Sequence, residues 1–130
     1  MSAPFIYIST FTVRPGRLDD ALAACRAIVG QVEAQEPQVL AFHFFLDEQG
    51  QRIATVQLHP DGSSMEFHMS LIADHLAASG ALIESYSAPL VLGEPPAALA
   101  QWWKESGTAM DLFPAHLAGV TRVGAPADAA

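Results

Sequence analysis

The order of extended and helical segments in this chain of 130 residues predicts an α+β fold made of two β-α-β halves. Three observations carry that reading. Short stretches rich in β-branched and aromatic residues are bounded by Gly, Pro and Asp. Two longer stretches between them repeat apolar residues at helical spacing. A tight Asp-Glu-Gln-Gly turn joins the two middle strands.

Taken in order, Phe5–Val13 (FIYISTFTV) reads as a strand ended by Arg14-Pro15-Gly16. Arg17–Gln35 follows as a helix, with Leu18, Leu22, Cys25, Val29 and Val32 at helical spacing and Asp19 and Asp20 in the first turn. Glu36-Pro37 stops it. Strands Val39–Leu46 and Arg52–His59 flank Asp47-Glu48-Gln49-Gly50 as a hairpin. Pro60-Asp61-Gly62 turns the chain into a second helix, Ser63–Ala78, where Ser63 and Glu66 have the S-x-x-E spacing of a capping box. An extended segment within Ser85–Leu92 ends at Gly93 and Pro95-Pro96. The resulting βαββαβ order is the ferredoxin-like arrangement. A helix, Ala97–Ser106 with Trp102 and Trp103, and a strand near Leu117–Val123 extend it. Residues 1–123 are expected to form a single domain, with Gly124–Ala130 (GAPADAA) a disordered tail.

Composition narrows the class. With 51% hydrophobic residues and 15% charged, and a mean hydropathy of +0.25, the chain is unusually apolar for a monomer. A subunit interface is the natural destination of that surface. Phe42, Phe44 and Leu46 share one strand parity, Val39, Ala41 and Phe45 the other, so the sheet has two apolar faces. Helices cover one; a second copy of the chain is expected on the other. A net charge of −8 repels phosphate backbones and anionic membranes, which excludes nucleic acid as the main partner. No apolar run approaches the ~20 residues of a membrane helix. The lone Cys25 and the absence of a signal-peptide pattern make the cytoplasm the expected location.

The histidines are the candidate functional residues. At about 100° per residue, the apolar side chains of the second helix sweep an arc, and His68 and His75 fall near its middle. Imidazole brings a donor and an acceptor that need partners there. Either the core holds hydrogen-bonded histidines, or a partly polar cavity lies beneath the helix. His68 is the first choice for an acid–base group, since an imidazole with a pKa of ~6.5 accepts a phenolic proton at neutral pH. His59, ending a strand at the helix entrance, is the second. His75, His43, Gln57, Ser9 and Tyr7 are candidate substrate contacts. A metal site is not expected: His68 and His75 lie ~10 Å apart along a helix, and no H-x-x-x-H or H-E-x-x-H spacing joins any pair of the five histidines. No phosphate loop, dinucleotide fingerprint or nucleophile elbow occurs either, so no cofactor is expected. Cys25 sits on an apolar stripe and reads as a small hydrophobe. Trp102 and Trp103 point about 100° apart, one toward the domain body and one toward a subunit contact. Arg122 reads as a surface ion-pair residue.

Over Phe5–Leu76 the sequence resembles the antibiotic biosynthesis monooxygenase (ABM) domain of the dimeric α+β barrel superfamily. The resemblance rests on the strand ending in Val13-Arg14-Pro15-Gly16, the helix after it, the strands around Asp47, and Val56-Gln57-Leu58-His59-Pro60-Asp61 leading into a helix with His68. His59 stands where many members carry an aromatic residue, and a helical histidine is frequent at the position of His68. The resemblance implies a homodimer with sheets packed face to face and a pocket in each subunit between sheet and helices. It also implies cofactor-independent monooxygenation of a small phenolic or aromatic compound, or isomerisation, as the activity to test. Heme degradation is not implied, because the first strand offers Ser9 and Thr10 but no Asn, and the second helix has no Trp. The alternative is a non-catalytic dimeric binding or stress-related protein whose histidines satisfy one another or the backbone. A cavity of a few hundred Å³ with convergent polar groups separates the two.

Overall fold

A mixed sheet backed by helices on one side forms the body of the protein in the computed structural model, which describes residues 3–107 and 109–122. The elements run β1 (Phe5–Val13), α1 (Leu18–Gln35), β2 (Ala41–Leu46), β3 (Arg52–His59), α2 (Gly62–Leu71), α3 (Ala73–Ala78), β4 (Ile83–Tyr86), β5 (Leu90–Leu92), α4 (Ala97–Ser106) and β6 (Asp111–Phe113). The strand order is β2-β3-β1-β5-β6, with β4 also on β1. All pairs are antiparallel except β5 with β6. This is the ferredoxin-like α+β arrangement expected from the sequence.

Register sorts the side chains into two faces. On the helix-covered face, Phe42, Gln57, Tyr7 and Val91 form one row across β2, β3, β1 and β5, and Phe44, Thr55 and Ser9 form the next. The other face carries Ala41, Leu58, Ile6 and Leu92 in one row and His43, Val56, Ile8 and Leu90 in the next. On the covered side, Phe5, Tyr7, Met65, Val91, Leu99 and Trp103 pack into one buried cluster, and Val13, Ala21, Cys25 and Ile53 into a second. The Trp103 indole N–H donates to the Tyr7 hydroxyl at 2.9 Å, tying α4 to the sheet. Gly93 turns the chain after β5 with φ +113, and a Cβ there would meet the Pro4 carbonyl oxygen at 3.1 Å, so glycine is required.

Several sequence expectations are corrected. The second helix begins at Gly62 and is interrupted at Ile72, although Ile72 N–H still donates to His68 O and Leu76 N–H to Ile72 O; at the break the Leu71 carbonyl accepts from the Gln31 side-chain amide. Its cap is not the Ser63–Glu66 box. Asp61 adopts the extended N-cap conformation and its carboxylate accepts from Ser64 N–H at 3.0 Å, leaving Ser63 and Glu66 exposed. In place of one extended segment within Ser85–Leu92 there are two short strands, Ile83–Tyr86 and Leu90–Leu92, and Pro89 between them has no N–H to give a ladder. The last strand is Asp111–Phe113 rather than Leu117–Val123. Asp111 N–H and the Phe113 carbonyl bond to Pro89 O and Gly93 N–H, after which Pro114 ends the pairing. Leu117 and Val120 are exposed. Val123 and the tail Gly124–Ala130 lie outside the described residues.

Candidate active site

The buried stripe of α1 leads to the site. Cys25 and Val32 face the sheet, and the next position on that stripe, four residues on, is Glu36. Its C-cap location carries the carboxylate off the end of the helix into the protein, where it is 2% exposed. There it meets His68, which α2 directs toward the sheet and which is 0% exposed. His68 Nδ1 lies 2.9 Å from both Glu36 Oε1 and Oε2. The ring packs at a tilt of 54° against Phe42, with centroids 5.0 Å apart. His68 Nε2 is buried and has no hydrogen-bond partner.

His68 is one of the residues around a cavity of about 100 Å³ between the sheet and α2, α3 and α4. Its floor is the two rows Phe42-Gln57-Tyr7 and Phe44-Thr55-Ser9. Its roof is apolar: Met65, Met69, Ile72, Leu76, Leu99 and Trp102. Tyr7 is buried, and desolvation holds its hydroxyl far above the ordinary phenol range, so it stays protonated.

Burial sets the charge of the dyad. It pushes the Glu36 carboxyl up to about 7 and the His68 imidazole down to about 4, because a dry site disfavours either charge. Above about pH 7 the ionised Glu36 accepts Nδ1–H and leaves a lone pair on Nε2. Below it the pair gains a proton and that lone pair ceases to be available as a base. Glu36 thus orients the ring and fixes its tautomer, as a carboxylate does behind a catalytic histidine.

The other candidates divide. Tyr7, Ser9 and Gln57 share the cavity with His68. His59 lies next to it, with ring centroids 5.9 Å apart, but is 0% exposed and does not face the cavity. Its Nδ1 is 2.6 Å from Ser64 Oγ and its Nε2 is 2.9 Å from Gln57 Oε1. Burial and the neighbouring His68 push its pKa down to about 4. His75 stands on α3 outside the cavity, with Nε2 3.1 Å from Gln31 Oε1; the Gln31 amide also donates to Leu71 O, joining α1 to the helix break. His43 is on the uncovered face, at a groove of about 500 Å³ between α1 and β2. Cys25 touches the same groove, and burial raises its thiol to about 11. Trp103 is buried and Trp102 half-buried on the cavity. Among the described residues no three His, Cys, Asp or Glu side chains converge to hold a metal ion. No helix among them is long and apolar enough to cross a membrane.

Sequence reasoning missed Glu36, reading it only as part of the helix stop. The available signal was its place four residues beyond Val32 on the apolar stripe.

The fold is an α+β arrangement similar to that of solved antibiotic biosynthesis monooxygenase-like proteins. The backbone is similar to MupZ from Pseudomonas fluorescens, with a TM-score of 0.73 at 16% identity over 92% of this chain and 96% of MupZ. Rv0793 from Mycobacterium tuberculosis matches at 0.63 and 17% identity, over 74% of this chain and 99% of its own. A solved antibiotic biosynthesis monooxygenase matches at 0.61 and 19% identity, over 71% and 99%. The MupZ likeness therefore reaches farther along this chain than the other two do. No family model and no curated protein matches the sequence.

Proposed function

We propose that the protein is an acid–base enzyme in which His68, oriented by Glu36, removes a proton from a small hydroxylated aromatic compound bound in the cavity. The observation that carries this is a buried imidazole nitrogen without a partner, on a residue that borders an apolar cavity, with a carboxylate on the other ring nitrogen. A buried acceptor left unpaired costs roughly 1–3 kcal/mol, and a ligand hydroxyl satisfies it. With Glu36 ionised on Nδ1, its charge offsets the burial that weakens the ring as a base, so the hydroxyl proton moves to Nε2 and the electron pair stays on oxygen. The resulting phenolate is electron-rich enough to react with dioxygen. One oxygen atom entering the ring as a quinone carbonyl and the other leaving as water balances a cofactor-independent monooxygenation.

Size argues for a compact substrate. A cavity of roughly 150 Å³ accommodates benzene, and this one measures about 100 Å³. It is also below the few hundred Å³ that the sequence reading set as the mark of a ligand site. A single ring enters with small shifts of the flexible Met65 and Met69 side chains, whereas a polycyclic compound requires α3 to move. We further propose a cytoplasmic homodimer assembled through the uncovered face. Support for the dimer comes from the apolar rows of Ile6, Ile8, Val56 and Leu58, with Phe45 59% and Phe113 56% exposed.

The test uses 4-fluorophenol, whose fluorine resonance separates phenol from phenolate. The expected result is a saturable bound resonance at the phenolate position at pH 8, lost in His68→Gln. A bound resonance that stays at the phenol position, or no binding up to millimolar concentration, defeats the base assignment.

A further inference from the structure

We infer that Gln57 is the oxyanion donor of this cavity, and that His59 and Ser64 act as positioning residues that hold its amide in the donating orientation. The inference rests on the reading of His68 as the base and adds the group that receives the negative charge.

The argument follows hydrogens through a buried chain. Asp61 caps α2 by accepting the Ser64 backbone N–H at 3.0 Å. The Ser64 side chain is buried, and its hydroxyl has one partner, His59 Nδ1, at 2.6 Å. A buried hydroxyl proton needs an acceptor, and Nδ1 is the acceptor within reach. Nδ1 therefore carries the lone pair. His59 is neutral at working pH, because burial and His68 both act against its charged form, so its single ring proton sits on Nε2. Nε2–H then donates to Gln57 Oε1 at 2.9 Å. With its oxygen occupied on the His59 side, the Gln57 amide turns its NH2 toward the cavity it lines.

The cavity wall thus presents two complementary groups: a lone pair on His68 Nε2 from α2 and an N–H donor on Gln57 from the sheet. One hydroxyl oxygen satisfies both, giving its proton to His68 and accepting from Gln57. After transfer the O–H bond is broken, an N–H bond has formed on His68, and the oxyanion keeps the amide hydrogen bond. A donor fixed before the charge develops needs no reorganisation when it appears. The ligand class follows: a compact molecule with an acidic hydroxyl, bound as its oxyanion. A carbonyl compound without an acidic proton leaves the His68 lone pair unmatched, and a ligand carboxylate opposes its negative charge to the Nε2 lone pair.

Two measurements on the full chain test this. Long-range ¹⁵N–¹H spectra at pH 8 are expected to show His59 protonated at Nε2 and bare at Nδ1. A His59 ring protonated at Nδ1 reverses the chain, turns the Gln57 oxygen to the cavity, and overturns the inference. In Gln57→Leu, 4-fluorophenol is expected to bind about tenfold more weakly and to ionise at a pH about one unit higher when bound. Ser64→Ala, which removes only the relay hydroxyl, is expected to move the bound ionisation in the same direction. A purely packing role for Gln57 and Ser64 leaves the ionisation pH where it is in wild type, and that result overturns the inference while the His68 assignment stands. Wild-type protein that binds 4-fluorophenol without ionising it overturns both.

Discussion

Two hollows flank the first half of the sheet, and the larger is the poorer in chemistry. The groove between α1 and β2 measures about 500 Å³, but among the described residues its wall is mostly apolar, with Arg26, His43 and the Cys25 thiol as exceptions. The cavity under α2 measures about 100 Å³ and sets His68 of α2 over Gln57, Tyr7, Ser9 and Thr55 of the sheet. Phe42 and Phe44 line both, so a single strand separates them. What distinguishes the cavity is an unpaired buried nitrogen backed by a buried carboxylate. Volume measures where the chain fails to fill space. An unsatisfied polar group measures where the fold has left an interaction for something else to complete.

The comparison is broken or sharpened most by His68→Gln. Removal of a general base typically costs 10²–10⁴-fold in rate, so ionisation and turnover of a bound phenol should vanish from the cavity. Val29→Ser, on the groove wall, should leave both unchanged. An equal effect of the two substitutions would erase the distinction between the hollows.

Glu36→Gln comes next. It keeps a partner for Nδ1–H but removes the charge that stabilises the imidazolium, and a loss of tenfold or more in rate is expected. Wild-type activity should rise with pH through about 7, where Glu36 ionises, and steady-state rates across that range should lose this limb in the variant.

Stability responds to pH with opposing signs. His59 and His68 have folded values near 4, below the ordinary 6.5. Their contribution is complete above pH 6.5 and is lost as pH falls toward 4, on the order of 3 kcal/mol for His59. Glu36, raised from 4.5 to about 7, works the other way, its contribution being present in acid and lost as pH rises through 4.5–7. In wild type the Glu36 and His68 contributions largely offset, and the His59 loss remains. Melting temperatures between pH 7 and 5 should therefore fall more steeply in Glu36→Gln than in wild type. Parallel slopes would mean that Glu36 is ionised throughout and that burial does not govern the dyad.

The smallest effect is expected at the uncovered face. Phe45→Ser should weaken self-association in sedimentation experiments and leave 4-fluorophenol binding within about twofold, because Phe45 and the cavity floor lie on opposite sides of the sheet.

Much of the fold was legible because local signals agreed with one another. The strands Phe5–Val13 and Arg52–His59 and the helix Ala97–Ser106 end where Gly, Pro or hairpin residues say they should. Capping was misread, because both Asp61 and Ser63 carry suitable oxygens and only the backbone conformation at Asp61 chooses between them. The strand near Leu117 was misread because β-branched composition does not supply an edge to pair with. In the site, helix and strand periodicity singled out His68, Gln57, Tyr7 and Ser9 separately as candidates, without placing one against another. Glu36 was missed, since its partner is 32 residues away in sequence and pairing at that distance is set by how α1 packs on the sheet. The fates of His59 and His68 diverge for the same reason. Both are buried histidines at the same end of the sheet, and only the three-dimensional neighbours give one two partners and the other one.

The most direct test of the central claim is the ¹⁵N spectrum of the His68 ring at pH 8, recorded with and without 4-fluorophenol. The account predicts a proton on Nδ1, an Nε2 resonance at the unprotonated position, and movement of Nε2 to the protonated position as the phenol saturates the cavity. A proton on Nε2 in the free protein, or a ring unmoved by saturating phenol, would contradict it.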